Sequence, residues 1–302
     1  MSLLNGLSGM NEPQSDPEQD TFNSSELGGS DGTSKVQAQK ETDASGTIVV
    51  KIGGSTLGSH DTTLHDLMEL QRQGVNSVVV HGGGKIISDW MAKQGVMPRF
   101  VRGLRVTDGP SIDIVVAVLT GLINKNLVAS MVELGARSIG ISGADDGMLR
   151  ARVRDPELGL VGDITDVNTD PIEAVLDSGC IPVIAPVGVK PVEDGENSPT
   201  LLNINADTAA GEIAAALNAS RLVFLTDVQG VLDTTRRLIP RLTERQARGL
   251  ISSNVAAGGM IPKLEACLTA LHSGGVSHII DGREPSALID VVSGATLGTR
   301  IG

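Results

Sequence analysis

Two lysines in this chain stand close to glycine pairs, in settings that suit the binding of a phosphate group. Lys51 ends the β-favouring run T-I-V-V-K, and Gly53 and Gly54 follow it. Because glycine has no Cβ atom, backbone N–H groups at such a pair can approach a bound anion closely. Lys263 follows Pro262 in G-G-M-I-P-K, at the predicted start of a helix whose dipole also attracts anions. Lys51 taken alone would be interpreted as a lysine that reaches solvent from the end of a strand.

A second glycine cluster follows another short apolar run, S-V-V-V-H-G-G-G at 77–84. Two such strand ends lying side by side would frame a phosphate from two directions. The cluster is not a Walker A motif, because Ile86 follows Gly84 and Lys85. It is not a dinucleotide-fold motif either, because Ile87 stands where the third glycine belongs. A tight turn from strand to helix is the alternative interpretation of these glycines.

Polar residues in two further segments suit the binding of a carboxylate or an amide. In R-G-L-R-V-T-D at 102–108, the Arg105 guanidinium can bind a carboxylate through two parallel hydrogen bonds, with a surface ion pair as the alternative. In N-I-N-A-D, Asn203 and Asn205 are two residues apart on an extended segment, so their side chains point the same way. Asp207 precedes an Ala-rich helix, where the simplest role for it is that of an N-cap.

The segment L-T-D-V-Q-G-V-L-D at 225–233 ends another apolar run with Thr226 and Asp227. In a parallel sheet, residues just beyond the carboxyl end of a strand lie in the crevice where ligands bind. We therefore expect this segment to face a ligand.

The elements that position these residues alternate between short apolar strands and helix-length segments. Strands are predicted at 47–52, 77–81, 137–142, 181–185, 221–226 and 276–280. Helices are predicted at 60–73, 85–94, 110–134, 170–178, 206–218, 243–252 and 263–273. Strands separated by helices require crossover connections and a parallel sheet covered on both faces. The sequence therefore predicts an α/β fold, a three-layer α/β/α sandwich with a mainly parallel central sheet.

Two segments depart from this alternation. Residues 149–168 and 186–204 contain β-favouring residues interrupted by Pro and Gly. Such a pattern favours hairpins, and we expect these two insertions to form a lid beside the sheet.

Composition excludes several classes of partner. The 302-residue chain has a formal net charge of -12, so a broad basic surface for nucleic acid or anionic lipid is not expected. We find no apolar run that approaches the length of a membrane span, and we expect no signal peptide. Cys180 and Cys267 are far apart and form no C-x-x-C pair, which favours free thiols and a cytoplasmic location. The five histidines form no cluster with metal-ligand spacing.

The first 46 residues differ from the rest of the chain. They are rich in Ser, Gly, Gln, Asp and Glu and show no apolar periodicity. Ordering such a segment costs more entropy than burial returns, so residues 1–46 are predicted to be a disordered acidic tail.

Taken in order, these motifs resemble the amino acid kinase family. They are K-I-G-G, H-G-G-G, R-G-L-R-V-T, N-I-N-A-D, L-T-D-V-Q-G-V-L-D and G-G-M-I-P-K, with H-I-I-D-G-R and L-G-T-R-I near the end. The resemblance covers 47–302 and is closest to the acetylglutamate kinases within the family. It implies transfer of a phosphoryl group from ATP, with Mg²⁺, to the side-chain carboxylate of N-acetyl-L-glutamate, in the second step of arginine biosynthesis.

The resemblance also implies a role for each matching residue. Lys51 and Lys263 would stabilise the transferred phosphoryl group, and Asp207 would hold both lysines. The amino-acid substrate would bind in a lobe formed by 47–219, and the nucleotide in a lobe formed by 220–302. The implied amino-acid ligands are Gly83, Gly84, Arg105 and Asn203. The implied nucleotide ligands are Gly53, Gly54, Thr226, Asp227, Gly230 and Leu232. No protein side chain is implied as a metal ligand.

Three departures from the family pattern bear on this expectation. The loop after Lys51 reads G-G-S-T-L where many members carry Asn-Ala-Met, and Ala144 stands where members often have Lys. A longer substrate such as acetylaminoadipate is therefore an alternative, as are carbamate phosphorylation and a non-catalytic sensor. The polar tail has no counterpart of the amphipathic helix of hexameric, arginine-inhibited members, so we expect a homodimer.

Overall fold

A computed structural model describes residues 46–53, 62–192 and 200–302 of the chain. Its strands are β1 (Ile48–Ile52), β2 (Ser77–His81), β3 (Phe100–Val101), β4 (Leu104–Arg105), β5 (Ser138–Ser142), β6 (Leu149–Val153), β7 (Val161–Val167), β8 (Ile181–Ala185), β9 (Val187–Lys190), β10 (Thr200–Ile204), β11 (Arg221–Thr226), β12 (Arg241–Leu242), β13 (Val276–Asp281) and β14 (Thr299–Ile301). Its α-helices are α1 (Thr62–Arg72), α2 (Gly84–Lys93), α3 (Gly109–Val116), α4 (Asn124–Glu133), α5 (Asp170–Asp177), α6 (Ala206–Ala216), α7 (Glu244–Ser252), α8 (Met260–Leu271) and α9 (Ala287–Val292). The predicted tail, apart from residue 46, lies outside the described residues, as does Gly54.

Eight strands form the central sheet, in the order β12-β14-β13-β11-β1-β2-β8-β5. All neighbours are parallel except β13 and β14, which confirms the mainly parallel sheet. In the centre of the sheet, Lys51 of β1 lies in register with Phe224 of β11 and Val80 of β2. The six predicted strands are all present to within one residue at each end. The sequence analysis missed β3, β4, β12, β14 and α9, which are too short to give a periodic pattern.

Alternate residues of the central strands enter two separate cores. Val49, Val80 and Phe224 face one core together with side chains from α6 and α8. Val50 and Val223 face the other core, together with side chains from α1 and α9. Helices therefore cover both faces of the sheet, and the three-layer fold is confirmed.

The two predicted insertions form antiparallel pairs, β6 with β7 and β9 with β10. Together these four strands close into a small barrel in the order β10-β7-β6-β9. The sequence analysis predicted the hairpins, whereas closure depends on pairs between them, such as Asn203 with Val161. β10 leads directly into α6, so the barrel positions the start of that helix.

The helix predicted at 110–134 is continuous over Gly109–Glu133. A π-helical segment, Ala117–Ile123, separates α3 from α4 within it. By length and composition this is the one helix among the described residues apolar enough to cross a membrane, which corrects the expectation that no such run exists. The core helix of a soluble protein passes the same test, and Val115, Val118 and Leu119 are buried against α2.

Helices α6 and α8 pack with little space between them. A Cβ atom placed on Gly211 of α6 would lie 2.8 Å from the Cα atom of Ala266 on α8. Side chains of Ala209, Ile213 and Leu264 complete this contact and are buried. The two helices carry Asp207 and Lys263 near their first turns, so the close packing also sets the distance between these residues.

We expect Gly211→Ala to destabilise the protein by about 1–3 kcal/mol, because the added methyl group overlaps the α8 backbone. Gly249→Ala is the matched control, since Gly249 lies within α7 and has no atom within 4 Å of the added carbon. That substitution should stabilise the protein by up to about 1 kcal/mol, because alanine favours helix. Urea unfolding of both variants measures the difference. Equal effects of the two substitutions on stability would show that α6 and α8 can move apart without destabilising the protein.

Candidate active site

A buried carboxylate joins the two lysines that the sequence analysis selected. The Lys51 Nζ atom lies 2.8 Å from Asp207 Oδ1, and the Lys263 Nζ atom lies 2.9 Å from Asp207 Oδ2. The side chains of Lys51 and Asp207 are each 8% exposed, and that of Lys263 is 17% exposed. One carboxylate thus lies between two ammonium groups, and the cluster keeps a net charge of +1.

Three elements bring this cluster together. Lys51 comes from the central strand β1, Asp207 from the first turn of α6 and Lys263 from the first turns of α8. The N-cap of α6 is Asn205, whose Oδ1 atom accepts hydrogen bonds from the backbone N–H groups of Asp207 and Thr208. The N-cap interpretation of Asp207 is therefore wrong, and its carboxylate is left to hold the lysines.

Burial and charge act in opposite directions on these groups. Burial alone raises the pKa of the Asp207 carboxyl, but Lys51 and Lys263 outweigh it and hold that pKa below its ordinary value. Burial lowers the pKa of Lys51; Asp207 opposes this shift, and the charge of Lys263 adds to it. The arrangement is suited to an added anion, because a phosphoryl group would neutralise the remaining positive charge.

A cavity of about 210 Å³ opens beside this cluster. Six of the predicted site residues line it, namely Lys51, Gly83, Gly84, Arg105, Asn203 and Asp207. They come from β1, the turn between β2 and α2, β4, β10 and α6, so segments that are distant in sequence converge on one site.

Arg105 lies at this cavity with its charge unpaired by any carboxylate of the described residues. Its Nη2 atom donates to the Gly84 carbonyl at 2.7 Å and to Ser88 Oγ at 2.8 Å, and its Nη1 atom lies 3.1 Å from Met91 Sδ. The Phe100 ring lies 4.8 Å from the guanidinium carbon. Arg105 is 7% exposed. A buried guanidinium held only by neutral groups is suited to an incoming carboxylate.

The other predicted substrate ligands are positioned by packing. The Asn203 Nδ2 atom donates to Thr107 Oγ1 at 3.0 Å, which leaves its amide oxygen directed elsewhere. A Cβ atom on Gly83 would overlap the end of the Ile123 side chain, so a larger residue at that position would displace Ile123.

Four of the predicted nucleotide ligands, Thr226, Asp227, Gly230 and Leu232, lie at the end of β11 or in the segment after it, and none of them lines this cavity. Thr226 is buried. Its Oγ1 atom lies 2.9 Å from the Val228 carbonyl oxygen and 3.0 Å from the Ile280 carbonyl oxygen. Gly230 has a φ of 148° and is packed against Thr299, whereas Asp227 and Leu232 are exposed. Gly53 is buried at the end of β1.

A second cavity, of about 690 Å³, extends along the start of α8. Asn205 lines both cavities, and Gly259 and Pro262 line the second. Pro262 is the third residue of α8, which begins three residues before the predicted start, and it lies in the first turn, where proline is tolerated. Among the described residues, no group of three or more His, Cys, Asp and Glu side chains could hold a metal ion.

Comparison with known proteins agrees with this geometry. The family model described as "Amino acid kinase family" matches residues 46–281. This chain belongs to the amino acid kinase family. The acetylglutamate kinase of Dehalococcoides mccartyi strain 195 is 46% identical over 254 residues, which are 84% of this chain and 93% of that protein.

Two solved structures are similar to this chain in fold. The structure of smu.665 from Streptococcus mutans UA159 is 31% identical, has a TM-score of 0.72, and is matched over 84% of this chain and 98% of its own. Carbamate kinase from Giardia lamblia bound to AMP-PNP has a TM-score of 0.61 over 86% of this chain and 99% of its own. At 18% identity, the second likeness concerns the fold alone.

Several residues of the site were missed by the sequence analysis. Ser88 and Phe100 contact Arg105, and Thr107 contacts Asn203. Ser88 follows the glycine cluster by one helical turn, so its position on α2 was the only available signal. Phe100 precedes R-G-L-R by two residues, and a phenylalanine so close to a basic motif was a signal that went unused.

We expect Asp207→Asn to destabilise the protein by about 3–5 kcal/mol, because it leaves two ammonium groups without a counter-charge. Lys51→Met should cost less, since Asp207 keeps Lys263 as a partner. Glu244→Gln is the control, since it breaks an exposed ion pair with Arg248 and should cost under about 1 kcal/mol. Urea unfolding at pH 7 measures all three. An Asp207→Asn variant as stable as Glu244→Gln would contradict this account of the cluster.

Proposed function

We propose that this chain uses ATP to phosphorylate the side-chain carboxylate of N-acetyl-L-glutamate, giving N-acetyl-L-glutamyl 5-phosphate. The observation that carries the proposal is the cavity with buried positive charge at two places, Arg105 and the lysine cluster on Asp207. The substrate has two carboxylates, and each charged place fits one of them. The identity of 46% with an acetylglutamate kinase over most of both chains supports the same substrate.

The residues of this site act by positioning and by neutralising charge. Arg105 would bind the α-carboxylate through its two-pronged guanidinium, and Asn203 would bind the acetamide. The side-chain carboxylate would then face Lys51 and Lys263, where negative charge grows as the phosphoryl group is transferred. A carboxylate is itself a nucleophile, so no general base is needed. Cations that are already in position stabilise the transition state most strongly in a buried site such as this one.

ATP, with Mg²⁺ on its phosphate oxygens, is the phosphoryl donor in this proposal. Lys263 and Gly259 at the start of α8, with the turn after β11, would bind it, and no side chain is assigned to the metal. The amino-acid lobe is accordingly 47–219 and the nucleotide lobe 220–302. We assign the reaction to the second step of arginine biosynthesis and to the cytoplasm, where Cys180 and Cys267 stay free thiols.

Substrate preference tests the proposal. N-acetyl-L-glutamate should exceed L-glutamate at least about tenfold in kcat/KM, because free glutamate leaves buried amide-binding groups unsatisfied at about 1–3 kcal/mol each. Arg105→Ala should remove most of this activity, and Arg105→Lys should not restore it, because lysine lacks the fork geometry. The exposed Arg99 provides the control, and Arg99→Ala should leave kcat/KM within about twofold.

A coupled ADP assay over N-acetyl-L-glutamate, L-glutamate, N-acetyl-L-aminoadipate and carbamate measures these values. A preference for aminoadipate or carbamate would replace the assigned substrate. An Arg105→Ala enzyme with unchanged kcat/KM would remove the role given to Arg105. Absence of turnover with the whole panel would favour a sensor.

We further propose a homodimer that arginine does not inhibit. Within the described residues, β5 pairs on one side only, with β8, and Ile139 on β5 and Val132 on α4 are exposed. A second copy can pair with such a free edge through a two-fold axis. Analytical ultracentrifugation should give twice the chain mass of 31.2 kDa, and Ile139→Lys should give monomer. A hexamer, or inhibition by millimolar arginine, would contradict the proposal.

A further inference from the structure

We propose that His81 and Asn124 are positioning residues that hold the Gly82–Gly84 turn in the orientation needed by the amino-acid substrate. Neither residue lines the cavity, and both are buried, His81 at the end of β2 and Asn124 at the start of α4. The inference rests on the proposed function for the identity of the substrate. The hydrogen-bonded pair itself is independent of that function.

The hydrogen bonds of His81 define one state of the imidazole. Its Nδ1 atom lies 3.1 Å from the Gly82 carbonyl oxygen, and its Nε2 atom lies 3.2 Å from the Asn124 Nδ2 atom. A carbonyl oxygen only accepts, so Nδ1 carries the proton and donates to Gly82. Nε2 therefore accepts from the Asn124 amide, and the ring is neutral with its proton on Nδ1.

Asn124 is fixed in the orientation that this pair requires. Its Nδ2 atom also donates to the Val183 carbonyl at 2.8 Å. Its Oδ1 atom accepts from Lys125 Nζ at 3.0 Å, and the same ammonium group donates to the Gly140 carbonyl at 2.8 Å. The side-chain amide of Asn124 therefore cannot flip without placing its oxygen against the Val183 carbonyl oxygen.

The backbone around Asn124 is built to admit this side chain. The π-helical segment 117–123 ends immediately before Asn124, and such segments shift the face on which later residues lie. A Cβ atom on Gly140 would overlap Asn124 Oδ1, so β5 is close enough only because residue 140 is glycine. Burial lowers the pKa of His81 to about 4, with the Gly82 hydrogen bond opposing the shift and Lys125 and Lys51 adding to it. The ring thus stays neutral near pH 7.

The pair acts on the substrate through the turn. Fixing the Gly82 carbonyl fixes the peptide plane that precedes Gly83 and Gly84, whose N–H groups face the cavity in the proposed function. The Gly84 carbonyl accepts from Arg105, so the same turn also orients the guanidinium. The turn after β11, assigned to the nucleotide, contains neither residue of the pair. Loss of the pair should therefore raise KM for the amino acid and leave KM for ATP unchanged.

The first experiment replaces the donor of the pair without changing its shape, by Asn124→Asp. In the wild type, ¹⁵N NMR of the imidazoles should show one histidine with the proton on Nδ1 that does not titrate between pH 5 and 8. In Asn124→Asp, the carboxylate can only accept a hydrogen bond, so Nε2 has to carry a proton and that signal should change to the Nε2–H or the cationic form. KM for N-acetyl-L-glutamate should rise about tenfold, with KM for ATP within about twofold.

A second pair of variants keeps the test valid if Asn124→Asp does not fold. His81→Asn retains a donor where Nδ1 stands and should keep KM for the amino acid within about threefold. His81→Leu removes that donor and should raise the same KM about tenfold or more. Ser277→Ala is the control, since it removes a buried hydroxyl of β13 that donates to the Cys267 carbonyl, and it should change neither KM.

Two outcomes would overturn the inference. One is a wild-type His81 with its proton on Nε2, and the other is equal KM values for His81→Asn and His81→Leu. The two proposals can fail separately, because the NMR measurement uses no substrate. A wild type that does not phosphorylate N-acetyl-L-glutamate overturns the proposed function. The protonation of His81 measured by NMR still tests the hydrogen-bonded pair.

Discussion

The burial of Asp207 between two ammonium groups is the interaction on which the rest of the site depends. A buried charge is costly unless it is paired, so Lys51 on the central strand requires a carboxylate at a fixed distance. That carboxylate comes from the first turn of α6, and α8 must approach closely enough to bring Lys263 to its other oxygen. The order of the central strands and the packing of α6 on α8 together place one carboxylate between two ammonium groups.

Small residues make this geometry possible. The chain has three Phe, one Trp and no Tyr, so its cores consist mainly of Val, Ile, Leu and Ala. Gly211 allows α6 to touch α8, Gly83 allows the turn after β2 to lie on Ile123, and Gly140 allows β5 to approach Asn124. At each place the added methyl group of alanine would overlap a neighbouring atom. Close contacts that only glycine permits, and not large aromatic side chains, thus hold these elements in position.

Much of the fold could be predicted from the sequence because its strands are apolar, buried and ended by glycine or polar residues. Lys51 could be selected for the same reason, since a charge after three apolar residues needs an explanation. The partners of Arg105 and Asn203 could not be predicted. Ser88 contacts Arg105 across 17 residues, and Asn124 reaches His81 across 43. Such contacts depend on crossover geometry and on a π-helical segment, which leave no local pattern. The role of Asp207 followed from the family resemblance alone, because its position before a helix suggested an N-cap, which Asn205 supplies.

The charges at the two ends of the cavity differ in kind, and this difference has a chemical consequence. Arg105 is held by a carbonyl, a hydroxyl, a thioether and a ring, so its full charge is available to a ligand. The lysines share a carboxylate, so one unit of positive charge remains between them. In the proposed function, the α-carboxylate of the substrate would bind at Arg105, and the lysine end would attract the negative charge that grows during phosphoryl transfer. Attraction for charge that grows in this way would favour the transition state over the bound reactants, and Asp207 would set its strength by neutralising one of the two lysines.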